Sequence, residues 1–243
     1  MIAVALFTYR RPRELARCLE TMRGNRSIAE LLVFNDDETA PVDAGAVRAA
    51  AAAAPAVRVF NPSDFGYTGR AFRKHRYMNR AVDMITGDRI FFTDDDARFS
   101  AGAIDLHDAA LDTYHFAAGA IVRDRLFGRR SRTILHGTNY SFRTGFFKAV
   151  GGYDEAFGRS MGGGDAEFWY RIHAYATAHA TPVCRIPDAV QTVTGKSTRR
   201  GAHRTMDPRQ YIMDKHGIRF PGPLYRWFPG IRDKKRWMAV YHG

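Results

Sequence analysis

Arg89-Ile90-Phe91-Phe92-Thr93-Asp94-Asp95-Asp96 is an apolar run of strand length that ends in three adjacent carboxylates. Like charges this close repel, and each raises the pKa of the next. Anions gathered at the mouth of a buried strand call for a cation. Hard divalent ions such as Mg²⁺ or Mn²⁺ take oxygen ligands, and Mg²⁺ is bound by one or two carboxylates together with substrate phosphates. In an open α/β sheet, ligands bind at the carboxyl ends of the strands. The competing reading is a polar turn in which Asp96 or Ser100 caps the next helix.

Working outward from this run, strands and helices alternate over the first hundred residues, which predicts a doubly wound α/β sheet. Ile2–Thr8 is a continuous apolar run, as in a central parallel strand. Pro12 opens a helix to about Met22, with Leu15, Cys18, Leu19 and Met22 on one face. Leu31–Phe34 is a second strand, followed by Asn35-Asp36-Asp37. An Ala-rich helix over Ala44–Ala54 stops at Pro55, and Val57–Phe60 is a third strand. Gly66 and Gly69 precede a helix to about Thr86, stopped by Gly87. Later, Ala103–Thr113 reads as helix, Phe116–Val122 and Thr138–Phe142 as strands, and Asp165–His173 as a helix behind the glycine run 162–164. No internal repeat is evident.

Composition sets bounds. A chain of 243 residues with 13% aromatics can bury a real core. Two cysteines, Cys18 and Cys184, are too few for a disulfide framework, and Cys18 sits at core spacing. This usage fits a reducing cytoplasm. Met1–Phe7 is too short for a signal or membrane helix, and no later stretch is long enough to span a bilayer. The net charge is +12, and residues 191–243 hold +9 of it, with twelve Lys and Arg against three acids. A basic, aromatic-containing segment of this kind points to an anionic neighbour: pyrophosphate, a membrane surface or nucleic acid.

Four segments together resemble the GT-A fold glycosyltransferases of the family 2 type. They are Val4-Ala5-Leu6-Phe7-Thr8-Tyr9-Arg10-Arg11-Pro12, Leu32-Val33-Phe34-Asn35-Asp36-Asp37, the stretch from Asn79 through Gly87-Asp88 to Asp96, and a late block. That block comprises Gly137–Arg143, Val150–Glu155 and Gly162–Arg171. The match covers roughly residues 1 to 200, and its force lies in four pieces occurring in order. The resemblance implies a Rossmann-like, mostly parallel nucleotide-binding sheet flanked by helices, with a smaller acceptor-side sheet. It divides the chain into a GT-A domain over 1–205 (donor half 1–100, acceptor half 101–205) and a basic extension over 206–243.

The same resemblance assigns roles. Asp96 would bind Mn²⁺ or Mg²⁺ directly and Asp94 would lie near the ribose and the metal, with Asp95 sharing either role. Asp36 or Asp37 would accept from the base or ribose, a task that suits a carboxylate. Thr8, Tyr9 and Arg10 would border the nucleotide, with Tyr9 able to stack. Arg70, or else Arg73, would reach the diphosphate. Lys196 and Arg199, with Arg200, would lie in a loop that closes over it. His203 is a further candidate metal ligand; His136 and His173 read as structural. Asp165 would be the base of an inverting transfer, the competing reading being a helix N-cap. Gly163 and Gly164 would let backbone approach the acceptor, and Glu167 and Trp169 would bind it. The family commonly has Glu-Asp where this chain has Gly164-Asp165, so one acceptor-side carboxylate is missing.

The expected activity is therefore metal-dependent transfer from a UDP- or dTDP-sugar to a hydroxyl, with inversion. The basic end leaves two kinds of acceptor, a glycan or natural product, and a nucleic acid such as DNA carrying a hydroxylated base. A nucleotidyltransferase is the rival from another class. It would favour a glycine-rich loop after the first strand, where this chain has Thr8-Tyr9-Arg10-Arg11-Pro12. A non-catalytic relic of the fold is disfavoured by retention of the three Asp and of Asp165.

Overall fold

The computed structural model describes residues 1–51, 54, 56–68, 72–124, 130–133, 137–159, 162–193, 205–219 and 237–243. The first half alternates as expected: β1 (Ile2–Thr8), α1 (Pro12–Met22), β2 (Ile28–Asn35), α2 (Ala44–Ala50), β3 (Val57–Phe60), α3 (Lys74–Met84) and β4 (Arg89–Asp94). There follow β5 (Ala97–Phe99), α4 (Ala103–Ala110), β6 (Phe116–Asp124), β7 (Arg130–Thr133), β8 (Tyr140–Arg143), α5 (Thr144–Ala149), α6 (Gly164–Ala178), β9 (Val183–Val193), α7 (Pro208–His216) and β10 (Ala239–Val240).

Among the described residues these strands form one sheet in the order β10-β9-β6-β8-β4-β1-β2-β3, with β5 paired to β9 and β7 to β6. The strands β4, β1, β2 and β3 run parallel. β8 joins β4 antiparallel and β6 joins β8 antiparallel, so the acceptor-side strands extend the nucleotide-side sheet.

Alternation along the strands builds two cores. Ala5 and Phe7, Leu32 and Phe34, and Ile90 and Phe92 face α3, α5 and α6. Val4 and Leu6, Leu31 and Val33, and Phe91 face α1, α2 and α4. Both cysteines are buried and free.

Two boundaries differ from expectation. The third helix starts at Lys74 and stops at Met84, because the buried Glu30 carboxylate captures the Thr86 N–H at 2.8 Å and its hydroxyl at 3.0 Å. α6 runs on to Ala178. Described residues beyond 205 pack on the rest of the chain. Ile212 of α7 is buried with Phe157 and Ala166, Met238 enters the main core, and β10 pairs with β9.

Candidate active site

β4 delivers its three carboxylates to two different places. Asp94 keeps the strand's alternation and faces α3, where the Lys74 ammonium meets it at 2.6 Å. Asp96 pairs with Arg11 at 2.8 Å. Asp95 turns inward and is 3% exposed, accepting from the Thr8 hydroxyl at 2.7 Å and the Tyr9 N–H at 3.3 Å. Burial drives its carboxyl up to about 7, against the pull of Thr8 and Arg11. Asp95 thus ties the turn after β1 to the end of β4. Arg11 bridges both, at 3.3 Å from Asp95.

Asp36 and Asp37, at the end of β2, are also held by the protein. Asp36 accepts from the Arg73 backbone N–H and guanidinium, both at 3.2 Å. Arg73 is 3% exposed, so it fastens α3 to β2 from inside the protein. Asp37 accepts from Arg10 at 2.8 Å and from Thr39. Burial pushes the Asp37 carboxyl up, but those bonds outweigh it and hold the group below its ordinary value. Arg10 adopts a left-handed backbone, with φ of 57°, which swings its guanidinium toward Asp37 and over the Tyr9 ring.

Asp165 lies in the first turn of α6, whose N-cap is Gly163, so Asp165 does not cap the helix. A side chain at Gly137 would collide with the Asp165 carboxylate, which places that backbone directly against it. The Gly137 carbonyl in turn accepts from Lys74 at 2.9 Å. Asp94, Lys74, Gly137 and Asp165 are therefore contiguous. On the far side of Asp165, the Tyr153 hydroxyl donates at 3.5 Å.

The acceptor-side candidates are placed differently from expectation. Gly164 packs on His75 and Gly163 on Pro208, where a Cβ would clash, so these glycines serve helix packing. Glu167 is wholly buried and takes Arg171 in a fork at 2.8 Å on each oxygen, Lys215 at 2.8 Å and His216 at 3.0 Å. Trp169 is a core side chain, edge-on to Phe116. His173 packs against Trp237. Arg70, Lys196, Arg199, Arg200, His203 and His136 lie outside the described residues.

Lys74 and Arg11 went unassigned in the sequence although both lie within or beside quoted segments. Lys74 is four residues before the buried Met78 and seven before the buried Ala81, a spacing that sets it on the sheet-facing stripe of α3. That stripe was the available signal. No group of three or more His, Cys, Asp or Glu able to hold a metal occurs among the described residues. Asp94 and Asp96 are paired to Lys74 and Arg11, and each could offer one hard carboxylate oxygen to a Mg²⁺- or Mn²⁺-diphosphate, the phosphates supplying the further oxygens. The donor chemistry fits such an ion.

No family model matches the chain, and no curated protein matches it in sequence. Solved structures do. S. aureus TarS 1–349 in complex with UDP-GlcNAc superposes with a TM-score of 0.60 at 14% identity, over 87% of this chain and 64% of that one. A second S. aureus TarS structure gives 0.54 at 14% identity, over 87% of this chain and 38% of that one. A mycobacterial protein gives 0.57 at 17% identity, over 91% and 76%. This chain thus spans less than two thirds of either TarS chain. At these identities the likeness establishes architecture: the chain has the GT-A fold.

Proposed function

We propose that the protein is a glycosyltransferase that moves a sugar from a UDP- or dTDP-sugar to a hydroxyl acceptor with inversion, with Asp165 as general base. The observation that carries this reading is the run Asp94–Lys74–Gly137–Asp165. It sets a carboxylate-and-cation pair at the end of β4 one backbone width from a second, separate carboxylate. The structural likeness to TarS captured with UDP-GlcNAc supports a nucleotide-sugar donor.

The chemistry follows from the charges. The acceptor oxygen bonds to the anomeric carbon as Asp165 takes its proton. The bond to the diphosphate breaks with its electron pair going to the phosphate oxygen. Lys74 and Arg11 set two cations beside Asp94 and Asp96, where they can offset charge growing on the leaving group. A Mn²⁺ or Mg²⁺ ion held by Asp94 and Asp96 would add Lewis-acid stabilisation of the same diphosphate. Arg10, Asp36 and Asp37 brace the turn on which Thr8 and Tyr9 border the nucleotide. No helix among the described residues is long and apolar enough to cross a membrane. We place the reaction in the cytoplasm, where the two buried thiols stay reduced. The +9 carried by residues 191–243 favours a polyanionic acceptor, DNA included, as the alternative to a glycan.

A thermal-shift panel of sugar nucleotides, with and without Mn²⁺, tests the donor half. At a hundredfold excess over Kd, the right donor raises Tm by about 5 °C, and EDTA or Asp96→Asn removes most of that gain. No shift with any donor, with or without metal, contradicts the reading.

A further inference from the structure

We propose that Tyr153 is the positioning residue of Asp165, holding one carboxylate oxygen through its hydroxyl while Tyr140 fixes the direction of that hydrogen bond. This rests on Asp165 being the base.

Tyr153 is immobilised at every level. Its backbone N–H donates to the Asn79 side-chain oxygen at 2.7 Å, and its carbonyl accepts from the Asn79 amide at 2.9 Å. The turn before it uses Gly151 and Gly152 with φ of 88° and 60°, and a Cβ at Gly152 would strike Asn79. One ring face stacks on His75 at 4.9 Å and 8°; Phe168 packs on the ring at 4.1 Å. The hydroxyl donates to Asp165 Oδ1 at 3.5 Å and is bonded on its other side to the Tyr140 hydroxyl. A phenol has one proton. Since Tyr153 gives its own to Asp165, Tyr140 must give its proton to Tyr153. Burial raises both phenols well above their usual value, so both remain donors.

The carboxylate is thus gripped between the Tyr153 hydroxyl and the Gly137 backbone. The 3.5 Å separation is long, as catalytic hydrogen bonds often are before substrate fills a site. Among the described residues, His75 from α3, Asp94 from β4, Tyr140 from β8 and Tyr153 itself interact electrostatically with Asp165, and the Lys74 ammonium lies on the Gly137 carbonyl beside it. His75 is kept neutral, burial lowering it to about 4, and its Nδ1 has no partner among the described residues. Tyr153 is then the one of these four groups that hydrogen-bonds the carboxylate.

The test is Mn²⁺-dependent UDP release from UDP-GlcNAc, read as kcat and donor KM. In Tyr153→Phe kcat should fall about tenfold or more while donor KM stays at the wild-type value, because the hydroxyl holds the base and touches no donor. Tyr140→Phe should lower kcat the same way by less, and serves alone if Tyr153→Phe fails to fold. Wild-type kcat in the folded variants overturns the proposal. Asp165→Asn separates this from the base assignment. If Asp165→Asn keeps the wild-type rate, the base reading fails. If Asp165→Asn is inactive while Tyr153→Phe keeps the wild-type kcat, only the positioning role fails.

Discussion

Three consecutive aspartates do three different jobs, and the reason is local. Strand alternation sends Asp94 to the α3 face, the turn after β4 sends Asp96 to Arg11, and Asp95 is left facing the core side of the Thr8–Tyr9 turn. The run of carboxylates was legible in the sequence; its division of labour was not, because it depends on which cation each oxygen meets. Lys74 came from the other end of α3, and nothing within its own segment announces Asp94 as its partner. Lys74→Met should weaken binding of UDP-GlcNAc, or of whichever donor the thermal panel selects, by about tenfold, the worth of one charge-assisted contact. It should leave the fold intact, since Lys74 lies at the rim of the core. Calorimetric titration checks this, and an unchanged Kd would remove Lys74 from the donor site.

At the scale of elements, α6 carries both Asp165 and its anchor Glu167 in its first turn. Glu167 draws Arg171 from its own helix and Lys215 and His216 from α7, and Lys215 also reaches Asp154 at 2.8 Å. The helix with the candidate base is thereby clamped both to the turn that holds Tyr153 and to α7. Glu167→Ala would leave Arg171 without its buried counter-charge, Lys215 keeping Asp154, and should cost about 3 kcal/mol of stability, read as a fall in the urea midpoint. A change within about 0.5 kcal/mol would show that the cluster anchors nothing. Spacing in the sequence set Glu167 near Asp165 and suggested acceptor binding. Its partner Arg171 sits at the i+4 spacing of a helical ion pair, but Lys215 and His216 lie 48 and 49 residues downstream, where helical periodicity says nothing about what packs on what.

For the whole molecule, the alternating pattern of the first hundred residues predicted the parallel half of the sheet almost element by element. It did so because β1, β2 and β4 are buried on both faces and the helices between them carry apolar stripes. The second half was harder to read. β6, β8 and β9 join that sheet out of chain order and in mixed directions, through pairings no local signal encodes. Its two buried histidines should destabilise it in acid. Burial depresses His107, bonded to Ser141 and Asn139, to about 3, and His75 to about 4. An unfolded chain takes up those protons near pH 6.5 and the folded one does not. Their stabilisation is therefore complete above 6.5 and is lost as pH falls toward 3. At about pH 5 the loss is about 2 kcal/mol per histidine. The raised carboxyls of Asp94 and Asp95 act with the opposite sign, so the histidine share is read as a shallower pH dependence of the urea midpoint in His107→Asn than in wild type; equal slopes would mean that this ring is not held neutral. The central claim is that donor binding and catalysis reside in separate carboxylates at this one end of the sheet. The most direct measurement of it is Mn²⁺-dependent UDP release from UDP-sugars, UDP-GlcNAc among them, by wild type and by Asp165→Asn, with donor affinity measured in parallel. The predicted result is release by wild type, loss of release by at least about 100-fold in Asp165→Asn, and equal donor affinity in the two. Equal release by both proteins, or no donor bound by either, would contradict it.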